Sequence, residues 1–154
     1  MQHHNGFLLI DLTQYAFPNS TNGADEEGMY DYWNTFDVGT SISPGDVYVI
    51  CHGSADAVIQ GECDQTHTYL SNGDDVFALT QVGTGASLDV IGLVGDDPGA
   101  GWDVAGVSDA TKDHTLVRKC SVTQGNINWS LSAGTNAQDS EWEVLPQNYW
   151  IDID

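Results

Sequence analysis

Positive charge is almost absent from this sequence. Three of its 154 residues are Lys or Arg against 23 Asp and Glu, which leaves a formal net charge of −20 with histidine neutral. Phosphate binding needs Lys and Arg to displace counterions, so an affinity for nucleic acid that rests on the chain's own surface charge is excluded. An anionic membrane surface is disfavoured for the same reason, and no membrane partner is expected. Long apolar runs are missing too, since nothing approaches the roughly 18 consecutive apolar residues of a membrane span. The start lacks the cationic segment and apolar stretch of a secretory signal. Residues 1–6, with His3 and His4, read as a disordered tail. Helical periodicity is scarce, with 17 glycines scattered through the chain. No internal repeat or linker divides residues 1–154, which are read as one domain.

What is present reads as all-β. Asp46 to Cys51 follows the turn residues Ser43-Pro44-Gly45 and is a short, mostly apolar run. Thr66 to Leu70 and Val76 to Thr80 flank Ser71-Asn72-Gly73-Asp74-Asp75, and Asn-Gly predicts a hairpin there. Ser87 to Val94, His114 to Lys119 and Glu141 to Leu145 read as further strands. Six or more short strands with glycine-rich connections argue for a β-sandwich. Ser54 to Gly61, with a capping Ser, an early Asp and a terminal Gly, predicts the one short helix. The polar stretches 19–28, 96–109 and 136–141 read as surface loops. Spacing of two within the strands places Tyr48, Ile50, Phe77, Leu79, Val90, Leu116 and Trp142 in the core.

No Ser nucleophile elbow, phosphate-binding glycine loop, dinucleotide fingerprint or His-Glu-x-x-His occurs. Asp96, Asp97 and Asp103, like Asp74 and Asp75, supply oxygens that a calcium ion takes, but the twelve-residue helix-loop-helix pattern is absent, and solvated acidic turns are the commoner outcome. His52 and His67, with Cys51 and Cys63, match no zinc-site spacing, so ordinary structural hydrogen bonding is favoured for them. Three cysteines cannot all pair within one chain. Cys51 and Cys120 are read as small apolar strand residues; a Cys51–Cys63 disulfide around the short helix is the alternative, in an oxidising compartment. Lys112, Arg118 and Lys119 are the only basic residues. Arg118 is read as half-buried against a carboxylate, with an anion-binding spot as the weaker option in so negative a field.

Several segments, in order, carry a family pattern. They are Ile10-Asp11-Leu12-Thr13-Gln14-Tyr15-Ala16-Phe17, Tyr32-Trp33-Asn34-Thr35-Phe36, Ile42 to Ile50, and Leu70 to Leu79. The pattern continues through Leu88 to Gly92, Asp97-Pro98-Gly99-Ala100-Gly101-Trp102, Thr111 to Lys119, Asn126 to Trp129 and Ser140-Glu141-Trp142. Over about residues 5–150 the chain resembles bacterial lamin tail domains. The resemblance implies an immunoglobulin-like β-sandwich and a non-catalytic interaction module of secreted or cell-surface proteins, often beside nuclease domains. It supplies no catalytic residues. The match starts only near Asn5-Gly6, so the first two strands of the family pattern look missing, and Phe7, Leu8, Leu9 and Ile10 become candidates for assembly at an exposed sheet edge, with a second copy or a partner protein. The expected function is therefore a non-catalytic binding module without a cofactor, calcium being the one candidate ion. The alternative is a divalent-metal-dependent hydrolase, or an accessory domain of an extracellular nuclease, using Asp96, Asp97, Asp103 or Asp113.

Overall fold

A computed structural model describes residues 8–22 and 29–151. The expectations for residues 1–6, for Phe7 and for 23–28 of the 19–28 loop lie outside the described residues, while Asn19 and Ser20 at the start of that stretch are buried in a strand rather than in a surface loop. The chain is mostly β, with strands β1 (Ile10–Asp11), β2 (Tyr15–Ala16), β3 (Asn19–Ser20), β4 (Ser41–Ile42), β5 (Ile50–Cys51), β6 (Gln65–Thr66), β7 (Val76–Gln81), β8 (Ser87–Ile91), β9 (His114–Arg118) and β10 (Trp142–Pro146). Among the described residues helix is confined to α1 (Ala57–Gly61), α2 (Trp129–Ala133) and one 3-10 turn, Leu12–Gln14. None of these is long and apolar enough to cross a membrane.

β7 is the central strand. On one side it pairs antiparallel with β2 and β3, which act as one strand interrupted at Phe17-Pro18, and on the other with β8. Pro18 has no N–H to donate, but its carbonyl still accepts from Ala78 N at 3.0 Å, so the interruption keeps the ladder in register. Residues 32–35 lie along the far side of β2 and β3: Asn19 and Tyr32 exchange both backbone bonds at 3.0 Å, and Phe17 N donates to Asn34 O at 2.9 Å. β9 and β10 form a separate antiparallel pair, β1 pairs with β4, and β5 runs parallel to β6.

One hydrophobic cluster joins the β7 sheet to the β9–β10 pair and α2. It contains Val76 and Ala78 of β7, Val90 of β8, Trp102, Val104, Ala110, Trp129 and Ala133 of α2, and Trp142 of β10. Gly92 lets it close. A Cβ there would stand 2.8 Å from Trp102 Nε1 and 2.9 Å from Val76 Cγ2, and the backbone has φ +93°, which side-chain-bearing residues rarely adopt.

The structure corrects several expectations. The hairpin across Ser71 to Asp75 does not form: β6 is short and pairs with β5, whereas β7 turns back into β8 through Val82-Gly83-Thr84-Gly85-Ala86. Positive φ at Gly83 and Gly85 serves that turn. The Asn72-Gly73 turn is instead docked on the chain, with Thr111 Oγ1 donating to Gly73 O and Asn22 N to Asp75 Oδ1. The inward face of β7 is also reversed. Val76, Ala78 and Thr80 are buried, Phe77 is half-buried and Leu79 is 38% exposed, because β7 has its small and β-branched residues at the tightly packed positions. Tyr48, Ile50 and Leu116 are partly buried; Val90 and Trp142 lie in the core as expected. The 96–109 stretch is not wholly a surface loop, since Trp102 and Val104 anchor it in the core and Val104 bridges Val107.

Among the described residues two short α-helices form rather than one. The first begins later than expected, with Asp56 capping it by accepting from Val58 N, and Asn128 caps α2 by accepting from Leu131 N. Cys51 and Cys63 form a disulfide, so the reading of Cys51 as a free apolar residue is overturned. Cys120 is free but exposed just past β9, not packed on a strand.

Candidate functional site

A file of aromatic rings crosses the molecule beside β2 and β3. Tyr48 meets Phe36 edge-on at 5.3 Å, Phe36 meets Phe17 at 5.2 Å, Phe17 meets the His67 ring at 5.5 Å, and His67 meets Tyr69 at 6.4 Å. Such edge-to-face contacts set the positive rim of one ring against the negative face of the next. At the Tyr48 end the phenol donates to Gln65 Oε1, and burial, reinforced by the negative charges of Asp37 and Asp64, raises its pKa. Gln65 also ties its Nε2 to Thr35 O and accepts from Asp37 N, which holds the 35–37 segment against β6.

The other end of the file opens into a cleft of about 430 Å³ lined by Asn19, Thr21, Tyr32, Asn34, His67 and Tyr69. Five of the six lining residues are placed by strand pairing or by a hydrogen bond of their backbone. Asn19 sits on β3 opposite Phe77. Tyr32 and Asn34 lie on the segment bonded to β3 and Phe17, and Thr21 is held by its N–H donating to Asp31 Oδ2. His67 follows β6 directly, its N–H donating to Cys51 O at 2.8 Å, so the Cys51–Cys63 disulfide secures the wall that carries the imidazole.

The polar groups of the cleft are partly committed. Asn34 Nδ2 donates to Asn19 Oδ1 at 2.7 Å and to Phe17 O at 3.1 Å. What remains of that amide pair is one acceptor, Asn34 Oδ1, and one donor group, Asn19 Nδ2. His67 Nε2 is shielded from solvent and has no hydrogen-bond partner among the described residues. By contrast the phenol rings are open, Tyr32 being 58% and Tyr69 78% exposed. A slot with apolar ring faces, amide and hydroxyl groups and no charged residue in its lining suits a neutral ligand that has both an apolar face and hydrogen-bonding groups.

The residues singled out from sequence are placed elsewhere. Asp96, Asp97 and Asp103 are all exposed. Asp97 Oδ1 accepts from Gly99 N and Asp103 Oδ1 from Asp109 N, so two of the three act as local turn caps. Among the described residues no three His, Cys, Asp or Glu side chains come together in a group able to hold a metal ion. The disulfide removes both thiolates from any zinc set with His52 and His67, and His52 Nδ1 accepts from Ser54 N.

Two of the three Lys and Arg side chains serve the fold. Arg118 lies 4.1 Å over the Trp142 ring, bonds Asp89 Oδ1 at 3.1 Å and faces Glu141 Oε2 at 3.5 Å. Lys119 Nζ donates to the carbonyls of Ala137 and Ser140. Leu8, Leu9 and Ile10 are exposed, with Ile10 paired to Ile42 within the chain. Residues 10–16 thus fold back on the same chain.

Sequence reasoning missed the cleft because its six lining residues come from three separate segments. The signal available was the density of aromatic and amide residues in Tyr32 to Phe36, which the resemblance marks as pattern and not as site. Comparison of the chain with protein-family models, curated proteins and solved structures found no match in any of the three.

Proposed function

We propose that the chain is a non-catalytic binding module that holds its ligand in the Tyr32–Tyr69 cleft. The observation that carries this reading is the cleft itself: two exposed phenol rings and a fixed amide pair at the end of a packed aromatic file. Rigid aromatic walls bind with little loss of side-chain freedom, because Tyr has only two rotatable side-chain bonds. The reading agrees with what the resemblance to bacterial lamin tail domains implies, an interaction module on an immunoglobulin-like sandwich, and we propose that architecture for the strands described above. Two-dimensional NMR with a chemically diverse fragment set tests the site. Shifts are expected to gather at Tyr32, Asn34, His67 and Tyr69 and to vanish in Tyr69→Ala. Shifts gathered elsewhere, or turnover in a hydrolase and nuclease panel that one Asp or His substitution abolishes, would overturn it.

A second reading is favoured by Leu8 and Leu9, 83% and 55% exposed beside the two-stranded β1–β4 ribbon. An apolar segment next to a short open ribbon is a template for pairing with another chain, here a second copy of this one. Like charge opposes that association at low salt, so light scattering should detect dimer near 0.5 M NaCl before it does near 0.15 M. A monomer at both salts removes this second reading.

A further inference from the structure

We infer that the ligand of this cleft is a neutral saccharide, its ring stacked on Tyr69 with hydroxyls bonded to the Asn19–Asn34 amide pair. The inference rests on the cleft reading above and adds the ligand's chemistry.

Charge decides the first part. A net charge of −20 repels anionic polymers, and none of the lining residues is Lys or Arg, so phosphates, uronates and sulfated glycans have no counter-charge here. Geometry decides the second. Two of the three backbone segments that line the site are bonded to each other, Phe17 N to Asn34 O and Asn19 to Tyr32 in both directions, and in the third His67 N is taken up by Cys51 O. An extended peptide added as a strand would need one of those edges free. Side chains therefore do the recognition. A pyranose presents one face of C–H bonds and a rim of hydroxyls that both donate and accept. The C–H face matches the electron-rich face of a phenol ring. The rim matches the acceptor and the donor group that remain on the amide pair fixed by the 2.7 Å Asn34–Asn19 bond.

The test uses the full chain and four hexasaccharides: cellohexaose, xylohexaose and chitohexaose as neutral probes, and hexagalacturonate as the anionic one. Titration calorimetry and two-dimensional NMR should show saturable binding of at least one neutral probe, with shifts at Tyr32, Asn34, His67 and Tyr69. Tyr69→Ala should weaken it about tenfold and Tyr69→Phe less than threefold, since the ring face rather than the hydroxyl is used. Tyr69 is 78% exposed, so both variants are expected to fold, and an unchanged melting temperature verifies it. If fragments move the cleft resonances but no neutral hexasaccharide does, or if hexagalacturonate binds as tightly as the best neutral probe, the saccharide inference fails and the cleft stands. Capture of a tyrosine-rich peptide in place of sugars likewise ends the saccharide inference and leaves the cleft. If no fragment and no saccharide moves those resonances, both fail.

Discussion

Arg118 shows how one side chain organises several elements. Its guanidinium is sandwiched between Trp142 and the carboxylates of Asp89 and Glu141, and Nη2 also lies 3.4 Å from Ser132 Oγ. Ser132 Oγ donates to Glu141 Oε2 and accepts from Trp142 Nε1, while Asn126 bonds both carboxylates, so α2, β8, β9 and β10 share one polar knot. Breaking a fully buried pair costs about 3–5 kcal/mol. Asp89 and Glu141 are a third and a quarter exposed, so solvent recovers part of that. Arg118→Ala is expected to cost about 2 kcal/mol in urea unfolding, and Arg118→Lys to recover under half of it, because an ammonium cannot fork to two carboxylates while stacking on a ring. Asp139 gives a pH signature at the same scale. The Asn136 N–H, then the Thr135 hydroxyl, hold its pKa below the ordinary 3.8. A lowered carboxylate pKa stabilises the fold fully above the unfolded value, and the contribution is lost as pH falls through the folded value. The melting-temperature gap between the native chain and Asp139→Ala should therefore be constant near neutral pH and close below about pH 4.

At the level of elements, β7 sets the fold and the disulfide sets the site. Val76 is fully buried and packs against Gly92 and Trp102, so Val76→Ala is expected to cost about 2 kcal/mol. Leu79→Ala should cost less than about 1 kcal/mol, since its side chain already meets solvent. Equal costs in urea unfolding would mean that β7 is turned the other way. The Cys51–Cys63 bridge joins residues 12 apart and encloses α1, none of whose residues is buried. A helix of five residues that fully buries none of its side chains has little stability of its own. Closing a loop of that length restricts the unfolded chain by about 3 kcal/mol. Reduction, or Cys51→Ser with Cys63→Ser, is expected to lower the melting temperature accordingly and to broaden the His67 resonances, because the backbone bond from His67 to Cys51 loses its anchor. The free Cys120, exposed beyond β9, should react with a thiol reagent without either effect.

For the whole molecule, self-repulsion is the dominant electrostatic fact. With three cations, two of which are held by carboxylates or carbonyls, most of the 23 acidic side chains have no Lys or Arg to neutralise them. Salt shortens the reach of that repulsion to a Debye length of about 10 Å at 0.1 M. The melting temperature is expected to rise between low salt and about 0.5 M NaCl, and a flat or falling response would show that the charges are too dispersed to matter.

The all-β class and the strands near 87–94, 114–119 and 141–145 were legible in the sequence because local β-propensity and turn residues agree there with the final pairing. So was the pairing of Arg118, because a guanidinium amid so many carboxylates has partners wherever it lands. Tertiary structure decided the rest. Whether Val76 to Thr80 pairs with the segment before it or after it, and which face it buries, depends on long-range contacts with Pro18, Gly92 and Trp102 that no local window contains. The thiol outcome turned on a 5.7 Å approach of two Cα atoms, fixed by the parallel pairing of β5 with β6. The cleft required Asn19, Asn34 and Tyr69 to meet, and residues so far apart in the chain come together only when the sheet between them has formed.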